Sequence, residues 1–201
     1  MNSNYLYEYA SLLEKVLSTG YYLNYSPVAL ERLISYSPYF QAIENDKESF
    51  SPIINDSVLI KSLFSEQDIN INDIPSYNQC LWAAEAYLRI QGSTGLTFEA
   101  IFLYIQISKM YSLFPLYHEM DFSQIIDEFN CLYKNESVLS ILLKKYKYSL
   151  KDVSMKCKIP YVTLSSLKQR KRDIKKANVE AIISLAKVFK VRVETIAEIS
   201  I

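Results

Sequence analysis

The sequence has few glycine, histidine and cysteine residues, and each shortage excludes a kind of site. Three glycines in 201 residues cannot form the glycine-rich loops that cradle phosphates in P-loop and dinucleotide-binding proteins. His118, in "LYHEMD", is the single histidine, so a His-Glu-x-x-His zinc motif is excluded and we expect a structural or surface role for it. Cys80, Cys131 and Cys157 form no Cys-x-x-Cys pair. We interpret all three as small buried apolar residues rather than as parts of a disulfide or zinc framework.

Long apolar runs and enzyme-like constellations are missing as well. No run approaches the roughly 20 apolar residues that a membrane span needs, and "MNSNYLYEYASLLEK" does not have the pattern of a signal peptide. We therefore expect a cytoplasmic protein. With one imidazole in the chain, nothing in the sequence places a serine or cysteine nucleophile beside a base. Carboxylate neighbours such as Glu119 and Asp121 occur in any acidic domain. We therefore expect no catalysis, no metal and no cofactor.

The formal net charge of zero conceals two oppositely charged halves. Residues 134–201 carry 16 Lys and Arg against 6 Asp and Glu, whereas residues 1–133 carry 6 against 16. This asymmetry is typical of a nucleic-acid-binding domain joined to a domain of another kind. We predict two domains, 1–133 and 134–201, with the junction at residues 134–137. The acidic domain could lie against the basic one and inhibit it, or offer its surface to another protein.

Periodicity and capping residues predict helix nearly throughout the first domain. The spacing of Leu6, Tyr9, Leu13, Val16 and Leu17 predicts a helix that ends near Gly20. Ser26-Pro27, Ser37-Pro38 and Asp121 mark helix starts, as does a capping box of Ser76 with Gln79. Residues 55–75 contain one helical patch and then an Asn- and Asp-rich connector. "LTFEAIFLYIQI" would suit a strand or a helix by composition, and its spacing favours a helix.

The basic half contains the signals of five short helices. Ser137 opens "SVLSILLKKYK", Ser149 opens "LKDVSMKC", and "YVTLSSLKQ" follows a turn at "KIP". Asn178 opens "NVEAIISLAKVF", and "VRVETIAEI" comes last. The sequence thus predicts an all-α protein: an acidic helical domain followed by a five-helix domain. Within the latter, "LSSLKQRKRDIKK" places six Lys and Arg in thirteen residues.

The segment "SLKDVSMKCKIPYVTLSSLKQRKRDIKKANVEAIISLAKVFKVRVETI" resembles the phage-repressor (XRE or Cro-like) helix-turn-helix family over essentially the full length of that domain. The matching features include a Ser cap at Ser149, the Val153-Ser154 pair, Ile159 in the turn, and the closing "IISLAKVFKVRVETI". The sequence departs from the family at the turn glycine, which is Lys158, and at the usual Ser or Thr before the recognition helix, which is Pro160. The usual acid and glycine after that helix are Lys168 and Arg170. We expect Lys158 to adopt a left-handed conformation at a cost of roughly 1 kcal/mol.

The resemblance implies how the domain would bind DNA. A short recognition helix would enter the major groove and present its first turn to base edges. The residues implied to read bases are Leu150, Tyr161, Val162, Ser165, Ser166 and Gln169. The residues implied to hold phosphates are Lys151, Lys168, Arg170, Lys171, Arg172 and Lys175, which would set register without reading sequence. Members of the family usually bind two-fold operators as homodimers.

We therefore expect a double-stranded DNA-binding transcriptional regulator, a repressor or autorepressor. For residues 1–133 three hypotheses remain open. They could bind a basic partner protein, as in an antitoxin or a phage anti-defence protein. They could instead control a stand-alone repressor through dimerisation or a ligand. The third hypothesis, a DNA-targeted enzyme, we rank far below the other two.

Overall fold

A computed structural model describes residues 3–45, 62–64 and 77–198. Within these ranges the chain forms α-helices and one short 3-10 turn, and no strand, which confirms the all-α prediction. The helices are α1 (Ser3–Tyr22), α2 (Pro27–Tyr36), α3 (Pro38–Glu44), α4 (Tyr77–Thr94), α5 (Phe98–Tyr104), α6 (Ile107–Tyr117), α7 (Ser123–Asn135), α8 (Val138–Tyr146), α9 (Leu150–Cys157), α10 (Tyr161–Lys168), α11 (Val179–Phe189) and α12 (Val193–Ala197), with the 3-10 turn at Ile174–Lys176. The predicted capping residue Ser76, and the helical patch and connector predicted in 55–75 apart from residues 62–64, lie outside the described residues.

Most of the predicted capping residues begin helices as expected. The side chains of Ser26, Ser137, Ser149 and Asn178 each accept a backbone N–H of the first turn. At Ser149 the cap is reciprocal, because Asp152 accepts the Ser149 N–H in return. Ser37 precedes α3 but makes no capping hydrogen bond, so Pro38 alone marks that start. All five predicted helices of the basic half are present.

Helix ends show how the chain compensates for its shortage of glycine. Lys147, Lys158 and Lys190 each end a helix with φ between 53° and 57°, in the left-handed region that glycine usually occupies. The expectation for Lys158 is thereby confirmed. Each non-glycine residue in this region costs roughly 1 kcal/mol, and a cation at a helix carboxyl end recovers part of that cost from the helix dipole.

The first helix has its predicted buried face and ends two residues beyond the predicted position. Leu13, Val16 and Leu17 are fully buried and belong to the same core as α4. However, α1 continues past Gly20 to Tyr22. Gly20 does not stop the helix; it lets α1 approach α2 closely, because a Cβ at that position would force the buried Leu30 side chain to move.

The ambiguous "LTFEAIFLYIQI" segment is helical, as predicted, but it is divided. Thr97 caps α5, Ile105 is extended, and α6 begins at Ile107. Two buried carboxylates from other helices complete these starts. Glu44 accepts the Phe98 N–H at 2.5 Å, and Glu31 accepts the Ile107 N–H at 2.9 Å. Each carboxylate thus satisfies an orphan donor at the positive end of a helix dipole.

The structure corrects the cysteine prediction in part. Cys80 and Cys157 are buried as expected, whereas Cys131 is exposed on α7, so its expected burial was wrong. The physical reason is that α7 buries Ile125 and Phe129, and Cys131 lies off that face. His118 is partly exposed and ends α6, with Nδ1 2.9 Å from the Phe114 carbonyl oxygen. No helix in the described ranges is both long and apolar enough to cross a membrane.

The buried side chains form two clusters. One runs from Ala10 to Phe129, and the other runs from Val138 to Ala197 and includes Leu103 of α5. Helix α7 continues through the predicted boundary at residue 133 and ends at Asn135, and Ser137 then begins α8. The division into two domains stays a prediction. The clusters meet at α5, which packs against α8 and α12.

Candidate nucleic-acid interface

Helices α9 and α10 are joined by a short turn. Lys158 ends α9 in the left-handed conformation, and the buried Ile159 anchors the turn to the core. Its carbonyl oxygen accepts the Ser154 hydroxyl at 2.6 Å. On the inner side of α10, Leu164 and Leu167 are buried. These contacts fix the position of α10 and leave its outer side free of core packing.

The first turn of α10 is open to solvent. Tyr161 is 54% exposed and Val162 is 74% exposed. Pro160 stands at the N-cap, and the first turn has no side-chain capping bond. An exposed pair of large apolar side chains at the free amino end of a helix is available to a partner surface.

The other residues expected to read bases differ in accessibility. Gln169 is exposed, and its Nε2 lies 3.5 Å from the Ser165 hydroxyl. Ser165 and Ser166 are half-buried, and the Ser166 hydroxyl donates to the Val162 carbonyl at 2.9 Å. Leu150 is half-buried and packs against the core of the basic half. The outer side of α10 therefore offers Tyr161, Val162 and Gln169 more openly than the two serines.

Helix α10 ends in a Schellman-type cap. The Lys171 N–H bonds to the Ser166 carbonyl at 3.0 Å, and the Arg170 N–H bonds to the Leu167 carbonyl at 3.1 Å. Arg170 has φ 53°, in the left-handed region. Arginine therefore occupies the position at which phage repressors, the family that this segment resembles, usually have glycine.

The guanidinium of Arg170, one of the residues implied to hold phosphates, is bonded to other groups within the molecule. Its Nη1 lies 3.2 Å from the Glu198 carboxylate, and its Nη2 donates to the Tyr104 hydroxyl and to the Glu136 carbonyl. The guanidinium also lies over the Tyr133 ring, 4.6 Å from its centroid. Charge and hydrogen-bond attraction thus direct this side chain toward α5 and α7.

The other five cations expected to hold phosphates are exposed. They are Lys151, Lys168, Lys171, Arg172 and Lys175. None of them forms an ion pair with a carboxylate of the described residues. Lys168 and Lys151 still help to lower the pKa of Glu136 and of Asp152, after stronger hydrogen bonds to those carboxylates, so the positive charge around α10 is only partly balanced.

A second arginine, Arg192, connects the two halves through a contact that is more buried than those of Arg170. The Arg192 Nη1 lies 2.6 Å from a Glu44 carboxylate oxygen, and these side chains are 11% and 1% exposed. Glu99 of α5 accepts the Arg192 backbone N–H at 2.8 Å and the Thr195 hydroxyl at 2.7 Å. Burial raises the pKa of Glu44, although the Arg192 contact opposes that shift. The acidic half thus holds α12 through Glu44 and Glu99.

A tyrosine adds to the cluster around Arg170. The Tyr133 hydroxyl donates to Glu198 at 2.7 Å. Burial, followed by this bond to Glu198, raises the pKa of Tyr133 to about 12, so it remains a donor at neutral pH. Glu198 also accepts the Val138 N–H at 3.3 Å, the first of α8. The carboxylate therefore links the end of α12, the start of α8 and the loop after α10.

Sequence reasoning missed these residues because they belong to no motif. Glu44, Glu99, Tyr133 and Glu198 come from four separate segments, and each is an ordinary surface-type residue by local pattern. Arg192 lies in "IISLAKVFKVRVETI", whose signals were helix periodicity and the resemblance to phage repressors, and neither signal assigns this arginine a role. Their roles depend on which helices meet, and a single sequence carries no such signal.

No protein-family model, curated protein or solved structure matches the chain. Within residues 3–45, 62–64 and 77–198, no group of three or more His, Cys, Asp or Glu side chains is arranged so that it could hold a metal ion.

Proposed function

We propose that this protein is a sequence-specific double-stranded DNA-binding transcriptional regulator of the helix-turn-helix type, acting as a repressor or autorepressor. The observation that carries the proposal is the juxtaposition at α10. Its first turn exposes Tyr161 and Val162, and exposed cations without ion-pair partners among the described residues follow at its carboxyl end. The resemblance of residues 149–196 to phage repressors supports the same function.

The chemistry of each side chain suits a role at a duplex. Tyr161 and Val162 present apolar surface of the kind that contacts thymine methyl groups, and Gln169 can pair with an adenine edge. Lys168, Lys171 and Arg172 would neutralise phosphates and set the register of α10. We propose homodimer binding to a two-fold operator, with half-sites about one helical turn apart.

A DNA-binding titration tests this function. The full chain would be titrated against the duplex directly upstream of its own gene and against a scrambled duplex, at several salt concentrations. The logarithm of affinity should fall with the logarithm of salt at a slope of roughly −0.9 per phosphate neutralised. Affinity that is independent of salt, or equal on the two duplexes, would contradict the proposal.

Variants separate base reading from phosphate binding. Changing Tyr161 and Gln169 together to Ala should reduce discrimination between the two duplexes. Arg172→Ala should weaken binding to both alike. Lys109→Ala, at an exposed lysine of α6 in the acidic half, is the matched control and should leave both affinities unchanged.

For residues 1–133 we propose a protein-binding role, as in an antitoxin or a phage anti-defence protein, without catalytic activity. The excess of carboxylates in this half would attract a basic partner protein. Co-purification of the product of a neighbouring gene, lost at high salt, would support this role. The second candidate is a repressor controlled by a ligand, and the observation that favours it is a cavity between the two halves.

A further inference from the structure

A cavity of about 380 Å³ lies where the acidic and basic halves meet. It is bounded by α2 and α5 on one side and by α8 and the joint after α11 on the other. Its volume is near the lower end of the roughly 300–1,000 Å³ that small-molecule sites occupy. A ligand held there would contact both halves at once.

The lining combines apolar and aromatic surface. Phe102 and Leu103 of α5 are buried and form an apolar floor, and Val191, in the joint after α11, also lines the cavity. Tyr36 and Tyr146 add two phenol rings. The Tyr36 hydroxyl lies 3.0 Å from a Glu99 oxygen and 3.2 Å from the Lys190 carbonyl, so this ring is held in place from both halves. Such a lining suits a flat apolar body.

Three cations stand at the same cavity. Arg32, Lys145 and Lys190 all line it, all are exposed, and none forms an ion pair with a carboxylate of the described residues. They come from α2, α8 and the end of α11, so the convergence is produced by the fold rather than by a local charge run.

The two carboxylates that line the cavity already accept hydrogen bonds from groups of the protein. Glu99 accepts hydrogen bonds from Tyr36, from the Arg192 backbone and from Thr195. Glu31 accepts the Ile107 N–H, and burial raises its pKa, although the charge of Lys145 opposes that shift. The positive charge at the cavity mouth is therefore only partly balanced.

We propose that this cavity binds a small aromatic monoanion, such as an aromatic carboxylate. The ring would pack against the two tyrosines and the apolar floor, and the carboxylate would meet Arg32, Lys145 and Lys190. The proposal goes beyond DNA binding and does not depend on it, because none of the residues that line the site belongs to α9 or α10.

A matched series of naphthalene probes tests the proposal on the full chain without DNA. 1-Naphthoate, 1-naphthamide and 1-naphthylmethylammonium share one ring system and differ in charge. Ligand-observed NMR titrations should give the tightest binding for the anion. Equal affinity for the three probes, or a preference for the amide or the cation, would overturn the proposal.

A double variant places the binding at this cavity. Arg32→Ala with Lys145→Ala should weaken 1-naphthoate binding at least about fivefold, because two favourable charge contacts are lost. The matched control is Lys109→Ala with Lys134→Ala, two exposed lysines that do not line the cavity, and it should bind as the parent does. If the two double variants bind alike, the site is elsewhere and the proposal fails. Should a variant not fold, the probe series on the parent chain still decides the charge preference.

Discussion

Changing Arg170 to Ala and, separately, to Gly distinguishes the cost of its backbone conformation from the value of its side chain. Both changes remove the bonds to Glu198, Tyr104 and the Glu136 carbonyl and the stacking on Tyr133. The Glu198 side chain is 6% exposed, so its carboxylate would stay buried and lose the cation that pairs with it within the described residues. Only the glycine variant also relieves the left-handed backbone.

The magnitudes set an order of stability. Loss of a charge-assisted contact to a buried carboxylate costs about 1.5–3 kcal/mol, and the 34% exposure of the Arg170 side chain places the loss near the lower end. The stacked ring contributes about 0.5–1 kcal/mol more. We therefore expect Arg170→Ala to lower the free energy of unfolding by about 2–3 kcal/mol. Arg170→Gly should be about 1 kcal/mol less harmful, because glycine adopts the left-handed region freely.

Urea unfolding followed by circular dichroism measures this order, with comparison of the slopes to check that the same surface unfolds. The parent should be most stable, followed by Arg170→Gly and then Arg170→Ala. An alanine variant as stable as the parent would refute the role of the Glu198 contact. An alanine variant more stable than the glycine variant would refute the argument from backbone conformation.

The same variants test the phosphate role that the sequence assigned to Arg170. If its guanidinium stays bound to Glu198 in the DNA complex, Arg170→Gly should leave the salt slope of DNA binding nearly unchanged. Arg172→Ala should reduce that slope by about 1. Equal changes for the two variants would mean that Arg170 leaves Glu198 to contact a phosphate.

Three further changes address stability alone, each measured by urea unfolding. Lys147→Gly should raise the free energy of unfolding by about 1 kcal/mol, because the exposed Lys147 ends α8 with φ 54°; no gain would contradict the strain argument. Glu14→Met should stabilise the protein by about 1 kcal/mol at pH 7, because Glu14 is buried and its Oε1 meets no hydrogen-bond partner in the described residues. Burial raises the pKa of Glu14, so the parent gains stability as the pH falls. The difference in free energy of unfolding between variant and parent should therefore narrow below neutral pH. A difference that widened would contradict the argument. Arg192→Met should cost about 3 kcal/mol, because it leaves the Glu44 carboxylate buried without its cation, and a cost below 1 kcal/mol would show that water or rearrangement satisfies Glu44.

Local rules in the sequence predicted the helices well because each rule concerns groups within one turn. A serine hydroxyl reaches an N–H three residues along, so Ser137 and Ser149 were readable as helix starts. Gly20 shows where local rules fail. A glycine can end a helix or allow two helices to approach closely. Which of these roles Gly20 has depends on the position of Leu30 on another helix, which the local sequence does not reveal.

The candidate interface, too, could be predicted only where local patterns decide. The exposure of Val162 follows from helical periodicity, because Val162 lies opposite the buried Leu164 and Leu167. Tyr161 lies one turn before Leu164, and its exposure does not follow from periodicity. The contacts of the Arg170 guanidinium do not follow from any local pattern, because its partners Tyr104, Tyr133 and Glu198 come from other segments of the chain. A stretch rich in arginine and lysine therefore indicates an anionic partner without revealing which cations the rest of the fold has already engaged.

The contacts between the halves determine what a comparison of the full chain with residues 134–201 can reveal. Removing the first 133 residues deprives Arg192 of Glu44 and Glu99, and removes the Tyr133 ring and hydroxyl from the cluster at Arg170 and Glu198. The fragment would then hold α12 and the loop after α10 less firmly, whatever the role of the acidic half in dimerisation. Weaker DNA binding by the fragment would therefore identify a dimerisation role for the acidic half only if Arg192→Met in the full chain left DNA affinity intact. If Arg192→Met weakened binding as much as the truncation did, support of the basic half by Glu44 would account for the loss.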